Sequence, residues 1–282
     1  MFVKAVYSMV ALLTLATAEA SSWKLRYELE EADTLTFGIL PYKDPKQVRS
    51  ELEPLAGYLS KQLARPVSVL VASSYQNLAR LVDSGRISVA WFSRTSYDLL
   101  LAKQHRPWAI LCHALPLNER GYRGLVITRA DSGIADLGQL RGKSFAYVDR
   151  HSGTGFMAPN QILRDRGITP LSFFGTIVFT GSHGASAKGV LEGRFDAAAV
   201  YEDLVALLPP AERERLRILG TSGWIGADPL VVLDQGNNPQ HERLRAVLLG
   251  MATDPEANQV LSHLIKVRGI KCFSRSDVAG GT

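Results

Sequence analysis

Phe145-Ala146-Tyr147-Val148-Asp149-Arg150-His151-Ser152-Gly153-Thr154-Gly155 sets the reading of this chain. Four apolar residues predict a strand, and Phe156 to Arg166 after the glycines predicts a helix. A strand that turns through hydroxyls and glycines into a helix makes an anion site. The helix start offers free backbone N–H groups and the positive end of its dipole. Glycine lets the backbone come close to a ligand, and Ser and Thr hydroxyls can rotate to donate. The stretch implies a protein that holds an oxyanion, either to transform it or to carry it.

Downstream of this junction the same logic repeats. Ile177 to Thr180 predicts a strand that enters Gly181-Ser182-His183, then a short helix from Ala185 to Glu192, then a strand at Ala197 to Val200. Upstream, Leu35 to Ile39, Val67 to Val71 and Ile87 to Trp91 read as strands. Between them Val48, Leu52, Leu55, Leu59 and Leu63 recur on one helix face, with Pro54 predicting a kink or break. Gln76 to Asp83 and Tyr97 to Lys103 read as shorter helices. Such alternation implies parallel sheets flanked by helices, which bind ligands beyond the C-terminal ends of their strands. Leu125 to Thr128 and Leu230 to Leu233, next to glycine-bearing turns, suggest a two-stranded hinge between two blocks. A last helix, about His241 to Leu249, and the stretch Glu256 to Lys266 return to the first block. The expected fold class is therefore α/β with two lobes, each a mainly parallel sheet. Residues 34–121 and 229–282 would form lobe I and residues 122–228 lobe II.

The composition agrees with a folded chain of that size. The 282 residues are 46% hydrophobic and 21% charged, with a net charge of +5. The basic residues are scattered and form no stripe, which speaks against a nucleic-acid partner. At the N-terminus Lys4, the apolar run Ala5 to Leu15, and the small residues Ala16, Ala18 and Ala20 have the form of an export signal. Cleavage is expected near residues 18–20, which gives a periplasmic protein with a loose leader from Ser21 to Ala32. An uncleaved membrane anchor is the alternative reading. The two cysteines, Cys112 and Cys272, could pair in an oxidising compartment or stand as separate buried thiols.

Each enzymatic reading of the opening turn lacks a required residue. Gly153-x-Gly155-x-x-Ala158 has the outline of a dinucleotide fingerprint, but the acidic residue about 20 positions on is missing. A P-loop would end in Gly-Lys-Ser/Thr, not Gly155-Phe156-Met157. Ser152 with His183 evokes a hydrolase, but Arg150 and Thr154 stand where a nucleophile elbow needs glycines. The six histidines have no metal-ligand spacing. Binding without chemistry, cofactor or metal is the expectation.

Five segments, in order, carry a family resemblance. Asp149 to Gly155 resembles the Asp-Pro-x-Ser-Thr-Ser-Gly turn of periplasmic phosphate-, phosphite- and phosphonate-binding proteins of ABC transporters. Gly181-Ser182-His183 with Asp196 to Val200 is similar to that family's Gly-x-His segment. Val89 to Phe92, Tyr122-Arg123-Gly124 and Asp228 to Val232 also match. The resemblance implies a two-lobe, hinge-closing, type II solute-binding fold. It implies that Ser152, Gly153, Thr154 and Gly155 grip the anion oxygens and that His183 donates from the opposite side. Tyr75 matches a ligand-contacting tyrosine of the other lobe, and Phe92 stands where another tyrosine is usual. Asp203 and Asp228 match acidic positions that can hold the amino group of an aminophosphonate, and Tyr42 is a candidate for the pocket wall. Against these stand plainer roles: Tyr75 and Phe92 as core aromatics, Asp203 as a surface charge, Asp228 as a turn former before Pro229, and His183 as a helix cap. Gly153 and Phe92 depart from the family pattern, each removing a hydroxyl. A lost hydrogen bond to a charged group is worth ~1.5–3 kcal/mol.

The resulting expectation is a monomeric, exported solute-binding protein that delivers a phosphonate-, phosphite- or phosphate-like anion to an inner-membrane ABC permease. The alternative is a sensor subunit that presents its ligand, for example an arsenic oxyanion, to a membrane histidine kinase. In that case Cys112 would offer a soft thiolate ligand.

Overall fold

The computed structural model describes residues 34–271 except 104, 105, 117, 265 and 266. The expected export signal, the leader and Cys272 lie outside the described residues. Two sheets form the molecule. The first has six strands in the order β11-β4-β10-β3-β1-β2, and the second has five in the order β7-β6-β8-β5-β9. In chain order these are β1 (Leu35–Ile39), β2 (Val67–Val71), β3 (Val89–Trp91), β4 (Trp108–Pro116), β5 (Tyr122–Arg129), β6 (Ser144–Tyr147), β7 (Thr176–Phe179), β8 (Ala197–Tyr201), β9 (Leu216–Ile225), β10 (Asp228–Leu233) and β11 (Val267–Lys271). The parallel pairing expected from strand–helix alternation is present in β2-β1-β3 and in β7-β6-β8. The rest of each sheet is antiparallel, so both sheets are mixed. Three of the antiparallel strands, β4, β9 and β11, are additions to the sequence reading. The arrangement is a two-lobe α/β fold.

The chain crosses between the sheets twice, between β4 and β5 and at Gly226-Ala227. β5 and β10, the two strands expected at the hinge, belong to opposite sheets, and each begins immediately after a crossing. The crossings run side by side, with Tyr122 paired to Ile225 on one side and Ala114 to Asp228 on the other. Gly121 has φ +118°, and a Cβ there would meet the Ile225 carbonyl oxygen at 1.9 Å. The close approach of the two crossings therefore requires glycine at this position.

Helices cover the sheets: α1 (Pro45–Leu63), α2 (Tyr75–Asp83), α3 (Arg94–Leu101), α4 (Ala158–Arg164), α5 (His183–Leu191), α6 (Glu202–Ala206), α7 (Pro239–Gly250) and α8 (Pro255–His263). The predicted break at Pro54 does not occur; α1 runs through it for 19 residues. Its buried face of Val48, Leu52, Leu55, Leu59 and Leu63 holds the helix together. The carbonyl that Pro54 leaves without its helical donor belongs to Ser50, an exposed residue that water can reach. Both α7 and α8 pack back on α1, and the Tyr58 hydroxyl donates to Asp254 at 2.8 Å. One apolar cluster extends across both sheets, from Phe37 and Leu59 to Ala198 and Tyr201.

Candidate functional site

The turn after β6 is wider than an ordinary helix start. Gly153–Met157 forms a single π turn, and α4 begins only at Ala158. Ser152 caps this turn: its Oγ accepts from the Gly155 N–H at 3.0 Å, and its carbonyl accepts from Phe156 and Met157. A Cβ on Gly155 would stand 2.5 Å from Val148, so the turn closes only with glycine there. Asp149 braces the loop by accepting from the His151 N–H at 2.8 Å. At the second junction Ser182 caps α5 by accepting from Ala185 N–H, which puts His183 in the first turn of the helix. Single-turn π segments recur at functional sites, and the first N–H groups of both elements point away from their own helices.

These two junctions face the first sheet across a narrow cleft. The His183 backbone N–H donates to the Tyr42 carbonyl at 3.1 Å, and the Tyr75 hydroxyl donates to Ser152 Oγ at 3.4 Å. Thr154 Oγ1 and His183 Nε2 lie 3.4 Å apart. Between them is a cavity of about 40 Å³. One water needs roughly 10–15 Å³ of such space, so the cavity suits a few waters or one small tetrahedral anion, and excludes a nucleotide or peptide. Its polar lining includes Ser152, Thr154 and His183 from one side and Tyr42, Tyr75 and Asp228 from the other. Asp203 also lines it. All of these were named from the sequence.

Other expected residues are placed elsewhere. Phe92 is fully buried against Trp108, with ring centroids 5.1 Å apart, and does not line the cavity. It takes the core role. Gly153 and Gly155 shape the turn but contribute no side chain. A Cβ on Gly153 would lie 2.5 Å from Thr95 Oγ1 of α3, so the opposite lobe occupies the space that a threonine would need. Cys112 is buried and disulfide-bonded, which overturns its reading as a thiolate ligand. Cys112 as a separate thiol falls with it, since no cysteine among the described residues is free. β11 ends at Lys271, opposite His113 and one residue from Cys112 in the register.

Six lining residues escaped the sequence reading as site residues: Tyr122, Tyr201, Ser93, Leu40, Ala114 and Pro116. Tyr201 ends β8, a strand parallel to β6, at the edge where ligands of parallel sheets bind. That rule could have found it. Tyr122 opens β5 at the crossing, and its hydroxyl donates to Asp228 Oδ1 at 2.7 Å. Asp228 also accepts from the Arg94 N–H at 3.1 Å and from Trp91 Nε1 at 3.4 Å. It thus serves both as a brace between the crossings and as part of the cavity wall.

The electrostatics are unusual for an anion site. No lysine or arginine lines the cavity among the described residues, yet two carboxylates do. Burial, reinforced by Asp228, pushes the Tyr122 phenol well above its ordinary range. Burial likewise raises Tyr75 and Tyr201. These phenols remain protonated donors at physiological pH. With no cation in the described lining, what the cavity offers an anion is hydroxyl groups and two helix starts.

A family model described as the periplasmic substrate-binding protein of phosphonate ABC transporters matches residues 37–278. The chain is 25% identical over 183 residues to the phosphate-import protein PhnD of Mycolicibacterium smegmatis, covering 61% of this chain and 56% of that protein. It is 25% identical over 190 residues to the tetrathionate sensor histidine kinase TtrS of Salmonella typhimurium, covering 66% of this chain and 31% of that one. The chain thus spans about half and about a third of the lengths of these relatives. Its fold is similar to that of the binding component of a phosphonate ABC transporter from Pseudomonas aeruginosa, with a TM-score of 0.78, 20% identity and coverage of 87% and 83%. With residues 37–278 matched, the chain belongs to the family of periplasmic substrate-binding proteins of phosphonate ABC transporters.

Proposed function

We propose that this chain is an exported, non-enzymatic binding protein that closes on one small phosphorus oxyanion and presents it to an ABC permease. Residues up to about 20 would be removed on export, and the lobes would meet near residues 121 and 228. The reading rests on one observation: Ser152, Thr154 and His183 converge with Tyr75 and Asp228 on a cavity sized for a tetrahedral anion. The absence of lysine and arginine from the lining and the presence of Asp228 and Asp203 narrow the ligand class. A buried carboxylate beside a bare dianion is repulsive, so the ligand must itself carry a donor. That donor is a P–OH proton or an ammonium group. Hydrogenphosphonate-type anions and phosphate satisfy this at neutral pH; sulfate does not.

A thermal-shift and calorimetry panel tests the reading. Methylphosphonate, phosphite or phosphate should raise the melting temperature, by the equivalent of ~2.7 kcal/mol at 100 times Kd, while sulfate should not. Ser152→Ala and His183→Ala should each weaken binding by about tenfold or more without unfolding the protein. Equal binding of sulfate would defeat the protonated-ligand argument, and silence from every phosphorus anion would defeat the function.

A second reading is favoured by the similarity to the tetrathionate sensor kinase: a subunit that presents its ligand to a membrane histidine kinase. Tetrathionate, a chain of four sulfur atoms, exceeds a cavity of about 40 Å³. Stabilisation by tetrathionate but by no phosphorus anion would decide for the sensor.

A further inference from the structure

Four tyrosines line the cavity, and three of them have an acceptor within the protein. The Tyr42 hydroxyl donates to Glu51 Oε2 at 2.7 Å, Tyr75 to Ser152 Oγ at 3.4 Å and Tyr122 to Asp228 Oδ1 at 2.7 Å. The fourth differs. The Tyr201 hydroxyl is shielded from solvent and has no hydrogen-bond partner among the described residues. The residue is 5% exposed and stands in the cavity wall. A buried hydroxyl left unpaired is costly, and such groups in folded proteins are satisfied by something. The backbone leaves it little choice of position. Tyr201 ends β8, pairs with Gly124 of β5, and meets the His183 ring edge-on at a centroid distance of 5.0 Å. Its phenol therefore stands beside the imidazole that the oxyanion reading already assigns to the ligand.

We infer that Tyr201 is a specificity-determining residue whose hydroxyl donates to an oxygen of the bound anion, next to His183. This deepens the oxyanion reading and rests on it. Burial first, then the nearby carboxylates Glu51 and Asp203, keep the phenol protonated, so it acts as a neutral donor. With Asp203 and Asp228 already lining the cavity, a neutral donor adds a bond to the anion without adding charge. Beside the carboxylates, which select a ligand that carries a proton, Tyr201 selects one with an acceptor oxygen at this position.

Binding of methylphosphonate, phosphite and phosphate by calorimetry, to the wild type, Tyr201→Phe and Ser152→Ala, tests this. Melting temperatures of the ligand-free proteins are measured in parallel. Tyr201→Phe should lose about tenfold or more in affinity for the anions that the wild type binds, while its own melting temperature stays level or rises. A phenol serving only the fold would give the opposite pattern. Wild-type affinity in Tyr201→Phe, with Ser152→Ala impaired, would overturn the role of Tyr201 and leave the oxyanion reading standing. A ligand-free Tyr201→Phe protein that unfolds or melts several degrees lower would also overturn it, by revealing a structural partner. If the wild type binds none of the three anions, both the role and the reading fall.

Discussion

Gly153 is the position where sequence and geometry are most informative together. From the sequence it is a departure: a glycine where the resembled turn carries threonine. The geometry supplies the reason, since Thr95 of the opposite lobe stands 2.5 Å from where a Cβ would be. Residue 153 and residue 95 compete for one volume. Gly153→Thr should therefore hold the lobes apart, lower ligand affinity by about tenfold or more and enlarge the radius of gyration in solution. Thr95→Ala in the same chain should recover part of both. If Gly153→Thr alone binds as the wild type does, the contact has no bearing on closure. At this scale much of the site was legible. Ser152, Thr154, His183, Tyr75, Asp203 and Asp228 all line the cavity, because short glycine- and hydroxyl-rich junctions after apolar runs advertise themselves. Phe92 and Cys112 were misread because a buried aromatic and a buried sulfur look alike in sequence whether they face a core or a cleft.

Among the elements, the regular ones were readable and the others were not. The 3.6-residue period of α1 and the apolar runs of β1, β2, β6 and β8 each have one buried face or two. By contrast, β4 mixes Trp108, Cys112, His113 and Pro116 with no alternation, because it lies inside a mixed sheet between two antiparallel neighbours. Strand β9 carries Gly220 and Gly223 and leaves Ile218 and Trp224 exposed at a sheet edge. Neither has the signature of a strand buried on both faces. Pro54 illustrates a propensity overruled by packing. Replacing it with alanine should restore a helical donor to Ser50 and stabilise the protein by up to ~3 kcal/mol. Chemical denaturation checks this, and a variant no more stable than the wild type would mean that α1 has already absorbed the proline elsewhere.

For the whole molecule, titration and oxidation set the conditions under which the fold persists. Burial, aided by Arg94, holds His113 below its ordinary pKa, and burial does the same for His241. The unfolded chain therefore binds more protons than the folded one below about pH 6.5, and stability falls as the pH drops through that value. Asp196 adds a later loss. Burial alone would raise it, but hydrogen bonds from the Ser144 N–H and hydroxyl win and hold it below the ordinary carboxylate range. Its contribution disappears as the pH falls past about 4. Denaturation at pH 7.5 and 5.5 should show the first loss, reduced in His113→Gln; equal stability at both would contradict it. The disulfide at Cys112 should be separable from function. Reduction should cost ~2–4 kcal/mol of stability and leave affinity for the anion unchanged below the new melting point, because Cys112 does not line the cavity.

The bond from the His183 N–H to the Tyr42 carbonyl joins the lobes through main chain alone. Among the substitutions available at these two positions, only proline at 183 deletes it. The cavity's side chains, by contrast, are open to replacement one at a time. Tyr201 or Asp203 can therefore be exchanged, and the ligand changed with them, while the same clasp is kept. The gene can drift in what it recognises without having to reinvent how it shuts.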